Sequence, residues 1–167
     1  LRYKEIEQLD LIEIDSKVIE LSQKYLSKIG GSAWKYPRLK VKVENGISFV
    51  ANSEENVYDI VIVDGSGPAG PAKGLFNKSF FENCKKIMKP NGVFATQSES
   101  PESFSKIHLE MILMIRDVFD YADPIYGWVP IYPSGWWSWT FASMGEPRYL
   151  NPMQSRYKVI SNDCEIW

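Results

Sequence analysis

Short runs of aliphatic and β-branched residues alternate along this chain with longer stretches whose apolar positions recur at helical spacing. That alternation admits little besides βαβ units around a largely parallel sheet. Residues 9–14 (LDLIEI) read as a buried strand. Ser16 is placed to cap a helix carrying Val18, Ile19, Leu21, Tyr25, Leu26 and Ile29, which Gly30 and Gly31 end. Residues 39–43 alternate as a strand, 46–51 form a short helix, and 58–63 (YDIVIV) are a central buried strand. Asp64 opens a loop over 65–74 whose four glycines and two prolines exclude a helix or a ladder, so a turn or lid is expected. A helix over 77–88, a turn at 89–92 (KPNG), a strand over 93–97 and the longest helix over 103–119 follow. Two aromatic-rich strands, 126–131 and 136–142, joined by 132–135 (YPSG), predict an antiparallel hairpin. The tail after Glu146 has no periodicity that assigns an element.

A length of 167 residues with 44% hydrophobic and 24% charged content fits one core-forming domain over 1–167. Nineteen basic residues against 21 acidic ones leave a net charge of −2, so no basic stripe is available for phosphates and nucleic acid is not an expected partner. Apolar runs of about seven residues are far short of the roughly 20 needed to span a bilayer. Cys84 and Cys164, far apart and without ligand spacing, indicate neither a disulfide framework nor a metal site. The charged N-terminus (LRYKEIEQLDLIEID) lacks a secretory core, and a reducing cytoplasm is the expected location. The missing initiator Met suggests truncation.

In open α/β sheets a ligand lies beyond the carboxyl ends of the strands. Glu13, Asn45, Asp64 and Gln97 all fall at such ends and are expected to converge on one crevice. Glu13 suits the vicinal hydroxyls of a ribose, or else Glu13 or its neighbour Asp15 supports the next helix N-terminus. Asp64, between an apolar strand and a glycine-rich loop, suits a partly desolvated general base, or else caps loop amides. Asn45-Gly46 is also an ordinary turn pair, and Gln97 a strand-end amide that needs no ligand. His108, alone of its kind, reads as structural. Trp136, Trp137, Trp139 and Phe141 can line a pocket, but on alternating strand positions they read rather as core.

Several blocks together resemble the spermidine synthase (polyamine aminopropyltransferase) family: LIEIDSKVIELSQKYL, PRLKVKVENGISFV, YDIVIVDGSGPAGPAKGLFNKSFFENCKKIMKPNGVFATQSESP and VPIYPSGWWSWTFAS, in the family's order over about residues 9–145. The resemblance implies a class I methyltransferase-like Rossmann fold, its mostly parallel sheet ending in the hairpin. It also implies transfer of an aminopropyl group from decarboxylated S-adenosylmethionine, a co-substrate, to a diamine such as putrescine, with no metal and no resident cofactor. Asp64 then takes the catalytic acid and contacts the amine, with Gln97 and Tyr132 holding the diamine and Glu99 adding negative charge. Glu13, Asn45, Gly46, Pro71, Ala72 and Leu75 fall on the nucleoside side.

Three departures from the family pattern stand out. Asn45 replaces a usual Asp that accepts from the adenine amino group, which predicts weaker binding by about 1 kcal/mol. Gly67 stands where a second acid or similar polar residue is usual, which puts loop order and amine binding in question. The family's glycine-rich nucleotide loop, with its own Asp, and its N-terminal β-strand domain, with a substrate-facing Tyr, would precede Leu1. The nucleoside pocket of the 167-residue chain is therefore expected to be half open and inactive alone, with a homodimer expected for the full-length form. Two alternatives stay open: an S-adenosylmethionine-dependent methyltransferase, and a non-catalytic relative that binds a nucleoside or a partner.

Overall fold

A computed structural model describes residues 3–67, 70–132 and 134–145, with the backbone alone at Gly70 and Pro71. The stretch after 145, including Cys164, lies outside the described residues. The chain divides into two units, Leu1–Glu54 and Glu55–Trp167.

In the first unit, β1 (Leu9–Glu13) and β2 (Leu39–Val43) pair in parallel, Leu9 against Leu39 through Glu13 against Val43. The chain crosses between them through α1 (Ser16–Tyr25), α2 (Ser27–Gly30) and a 3₁₀ turn over Gly31–Lys35. The cap of α1 is Asp15 rather than Ser16, because its carboxylate accepts from the Lys17 amide at 2.8 Å. The expected single helix breaks at Leu26. It resumes as α2 and ends where Gly31 takes φ +53, a conformation glycine adopts without strain. A short helix, α3 (Gly46–Asn52), follows β2.

The second unit is a four-stranded mixed sheet in the order β3 (Tyr58–Val63), β4 (Met88–Gln97), β6 (Trp136–Ser143), β5 (Tyr121–Trp128). Strands β3 and β4 are parallel, while β4–β6 and β5–β6 are antiparallel, so the predicted hairpin forms with Trp128 opposite Trp136. Among the described residues the strands make two sheets, of two and four strands, rather than one. Strand β3 is accordingly an edge, not the central buried strand expected. It pairs with β4 alone, and Ile60 and Ile62 stay 61% and 71% exposed. The expected turn at 89–92 is absorbed into β4 as a bulge, since Tyr58 pairs with Met88 but Ile60 with Val93. Gly92 suits it, for a Cβ there would lie 2.9 Å from the Lys89 carbonyl.

Helix α4 (Lys78–Ile87) is capped by Asn77, whose side chain accepts from the Phe80 amide at 2.9 Å. It buries Phe80, Phe81, Cys84 and Ile87, one stripe at helical spacing. Helix α5 (Ser105–Arg116) is shorter than predicted and buries His108, Met111, Ile112 and Ile115. Between these helices and the sheet, Phe81 meets Phe94 edge-on at 5.7 Å and Phe94 stacks on Phe119 at 5.1 Å. The glycine-rich loop is not wholly irregular, for its last part, Gly70–Leu75, closes into a 3₁₀ helix, which needs fewer consecutive helical bonds than an α-helix. No helix among the described residues is long and apolar enough to cross a membrane.

Candidate functional site

The carboxyl ends of β3 and β4 open into a cavity of about 420 Å³ in the second unit. Asp64 to Gly67 line it from the loop after β3, Gln97 and Glu99 from the end of β4, and Phe104 and Ile107 from the start of α5. Tyr132 from the hairpin turn, with Trp137 and Trp139 on β6, completes the wall. Four polar residues singled out by sequence thus meet here: Asp64, Gln97, Glu99 and Tyr132. Asp64 is exposed rather than partly desolvated. Trp137 and Trp139, read from the sequence as core, form cavity wall instead. Aromatic spacing on a strand identifies a face, not what lies against it.

The amide of Gln97 has a fixed orientation. Its Oε1 accepts from the Glu99 backbone N–H at 3.1 Å and from the Trp137 indole N–H at 3.2 Å, two groups that can only donate. Its Nε2 therefore faces Glu99, 3.4 Å from Oε1 of that carboxylate. Trp137 is held in turn by Tyr132, ring centroids 4.5 Å apart in an edge-on pair, and by Phe104 at 6.5 Å.

The bend after β4 is clamped from behind. Ser98 N–H donates to the Ser138 carbonyl at 2.9 Å, and the Glu99 carbonyl accepts from Ser138 through its N–H at 3.1 Å and its hydroxyl at 2.8 Å. Buried His108 places Nδ1 2.8 Å from the Ser98 carbonyl and 3.0 Å from the Ser138 hydroxyl, with the Tyr126 hydroxyl 3.4 Å from Nε2. A carbonyl can only accept, so the ring proton sits on Nδ1. Thr140 donates to the Ser98 hydroxyl at 2.8 Å. His108 is thus part of a satisfied buried network, the structural role expected of it.

Of the residues expected to hold a nucleoside, Glu13, Asn45 and Gly46 stand at the carboxyl edge of the two-stranded sheet, in the first unit. Glu13 accepts from the Asp15 amide at 2.9 Å. Asn45 caps α3, its Oδ1 accepting from Ile47 at 2.8 Å and Ser48 at 3.4 Å. That oxygen is thus already engaged with backbone, the turn-and-cap role that the Asn-Gly pair allowed. Pro71, Ala72 and Leu75 lie on the 3₁₀ turn, and Leu75 packs toward Gly65, where a Cβ would stand 3.3 Å from its Cδ1. No cluster of three metal-ligating side chains occurs among the described residues.

The sequence is similar along its whole length to known proteins. A polyamine aminopropyltransferase of Prochlorococcus marinus strain MIT 9313 is 59% identical over all 167 residues, and that of strain MIT 9215 is 42% identical. The chain spans 58% and 59% of those two relatives, a little over half their length. Among solved structures, a spermidine synthase in complex with the transition-state analogue AdoDATO superposes with a TM-score of 0.82 at 30% identity, over 92% of this chain and 54% of that one. The Thermotoga maritima spermidine synthase superposes with a TM-score of 0.79 at 29% identity, over 92% and 53%. The methyltransferase-like α/β fold implied by the sequence blocks is therefore the fold of this chain. With the spermine/spermidine synthase domain matching residues 1–152, all of the described polypeptide and with it the whole cavity wall fall within one family: the chain belongs to the spermine/spermidine synthase domain family.

Proposed function

We propose that this chain is the catalytic part of an aminopropyltransferase that moves the aminopropyl group of decarboxylated S-adenosylmethionine to a diamine, with putrescine as the acceptor. The observation that carries this reading is the cavity in which Asp64, Gln97, Glu99 and Tyr132 meet between aromatic walls, in a chain of this family. A diamine needs apolar surface for its methylenes and acceptors for its nitrogens, and the cavity offers both.

The reaction is displacement at the carbon beside a sulfonium. A protonated amine has no lone pair, so the attacking nitrogen must lose a proton. Asp64 is the group we assign to orient that amine and take its proton. The nitrogen lone pair forms the new C–N bond, the C–S bond breaks, and its electrons stay on sulfur, giving methylthioadenosine and spermidine. Tyr132 offers the diamine an apolar ring and a hydroxyl. Gln97 presents amide N–H groups to the cavity, so it pairs with a carboxylate or a neutral amine nitrogen rather than with an ammonium. We assign Glu13, with Asn45, Gly46, Pro71, Ala72 and Leu75, to the nucleoside. Cytoplasmic placement and homodimeric assembly belong to the same proposal and rest on the family resemblance.

The test is chromatographic detection of spermidine and methylthioadenosine from decarboxylated S-adenosylmethionine and putrescine, using the protein extended to its relatives' full length. Asp64→Asn, which keeps the shape and removes the base, should lower kcat by about 10²- to 10⁴-fold. Methyl transfer from S-adenosylmethionine, or an unchanged rate in Asp64→Asn, would overturn the reading.

A further inference from the structure

Resting on the amine-site reading above, we infer that Ser138 and His108, neither of which borders the cavity, are positioning residues: they hold the backbone of Glu99 in a bulge and so set the direction of the Gln97 amide. Ser98 donates its N–H to the Ser138 carbonyl at 2.9 Å, and the Glu99 carbonyl accepts the Ser138 N–H at 3.1 Å, so two residues after β4 stand against one on β6. That is the count of a β-bulge, which bends a strand and re-aims its side chains. Glu99 takes φ +67 within it, a region that residues with a side chain leave unless surrounding structure enforces it. Its N–H points to Gln97 Oε1, 3.1 Å away, instead of to a ladder partner.

The enforcing structure is a row of buried hydroxyls whose directions are fixed from one end. A carbonyl can only accept, so the Ser138 hydroxyl gives its proton to Glu99 at 2.8 Å. The Ser98 hydroxyl, 2.8 Å from that of Ser138, must then donate to it, and Thr140 donates to Ser98 at 2.8 Å. His108 Nδ1–H, 3.0 Å from the Ser138 hydroxyl and 2.8 Å from the Ser98 carbonyl, completes the row. Ser98, Ser138 and Thr140 are fully buried, so water does not replace a lost member. Alternation along β6 puts Ser138 on the face toward α5 and Trp137 and Trp139 on the cavity face. One face of the strand is the wall of the site, and the other holds the bend. Without the Ser138 hydroxyl, Glu99 relaxes toward an ordinary φ, its N–H leaves Gln97, and only the Trp137 indole still orients the amide.

The experiment is calorimetric titration of the full-length protein with putrescine and, separately, with methylthioadenosine, in the parent and in four variants. Ser138→Ala should weaken putrescine about tenfold and leave methylthioadenosine within about twofold, because only the amine end loses its brace. Thr140→Val removes a hydroxyl from the same row without touching the bulge, so it should lower the denaturant midpoint and leave both affinities within about twofold. His108→Gln should weaken putrescine as Ser138→Ala does. His108→Asn, whose shorter amide places an N–H where Nδ1–H stands, should stay within about threefold of the parent. Unchanged putrescine affinity in Ser138→Ala, an equal loss in Thr140→Val, equal losses in the two His108 variants, or a parallel loss of both ligands would overturn the inference. Should Ser138→Ala fail to fold, the His108 pair decides. A parent protein that binds methylthioadenosine but no putrescine would defeat the amine-site reading itself, an outcome seen before any substitution is made.

Discussion

Cys84 illustrates how burial decides the chemistry of a single side chain. It lies on the inner stripe of α4, and burial pushes its thiol up from 9.0 to about 12. The thiolate is the reactive form, so peptide mapping after alkylation at pH 8 should find Cys84 unmodified in the native protein and modified in urea. The folded state holds this proton more tightly than the unfolded chain does. Its contribution to stability is therefore complete below pH 9.0 and declines as the pH climbs toward about 12, a trend denaturant titrations across that range would follow. At the same scale, Asp64 and Gln97 were legible in the sequence because each directly follows or ends an apolar strand. Glu99 carried less signal. Its place in the wall depends on a left-handed residue two positions beyond Gln97, and neither strand period nor helical spacing encodes that turn. Asn45 was legible as a polar strand end, but whether its oxygen faces a ligand or caps α3 is decided by φ and ψ.

The hairpin of β5 and β6 shows what an element contributes beyond its residues. Its turn places Tyr132 in the cavity wall, and Ser134 reaches back to the Ser100 hydroxyl at 2.9 Å, tying the turn to the segment after β4. Gly135 makes the return possible with φ +75, and a Cβ there would penetrate the Trp128 ring. Gly135→Ala should cost on the order of 2 kcal/mol, read as a lower denaturant midpoint with unchanged slope. Elements with strong periodicity were the legible ones: β1, β2, β3, α4 and β6 occur near their expected ranges, whereas β5, expected over 126–131, runs over Tyr121–Trp128. The failures have physical causes. Turn chemistry at 89–92 was outweighed by pairing with β3, which turned a predicted break into a bulge. The helix expected over 103–119 starts later, because residues 101–104 form turns. The Ser100 hydroxyl accepts there from the amides of Glu102 and Ser103.

Over the whole molecule, the buried apolar residues are unevenly shared. Val50 is the one that lies in the first unit, among the described residues, while Phe80, Phe81, Ile87, Met88, Phe94 and Ile115 anchor the second. Helix α1 buries none of its side chains. Resistance to local opening follows buried apolar packing, so amides of β1 and β2 should exchange with deuterium faster than those of β4 and β6. Equal protection in both units would show that packing outside these elements sets the stability. One further consequence concerns the edge of the larger sheet. Strand β3 presents Ile60 and Ile62 beside backbone donors and acceptors that no described strand occupies, and it carries no proline or lysine to blunt them. Such an edge is a template for a foreign strand, and the 167-residue chain in concentrated solution is consequently disposed to aggregate by edge-to-edge growth while its core stays folded.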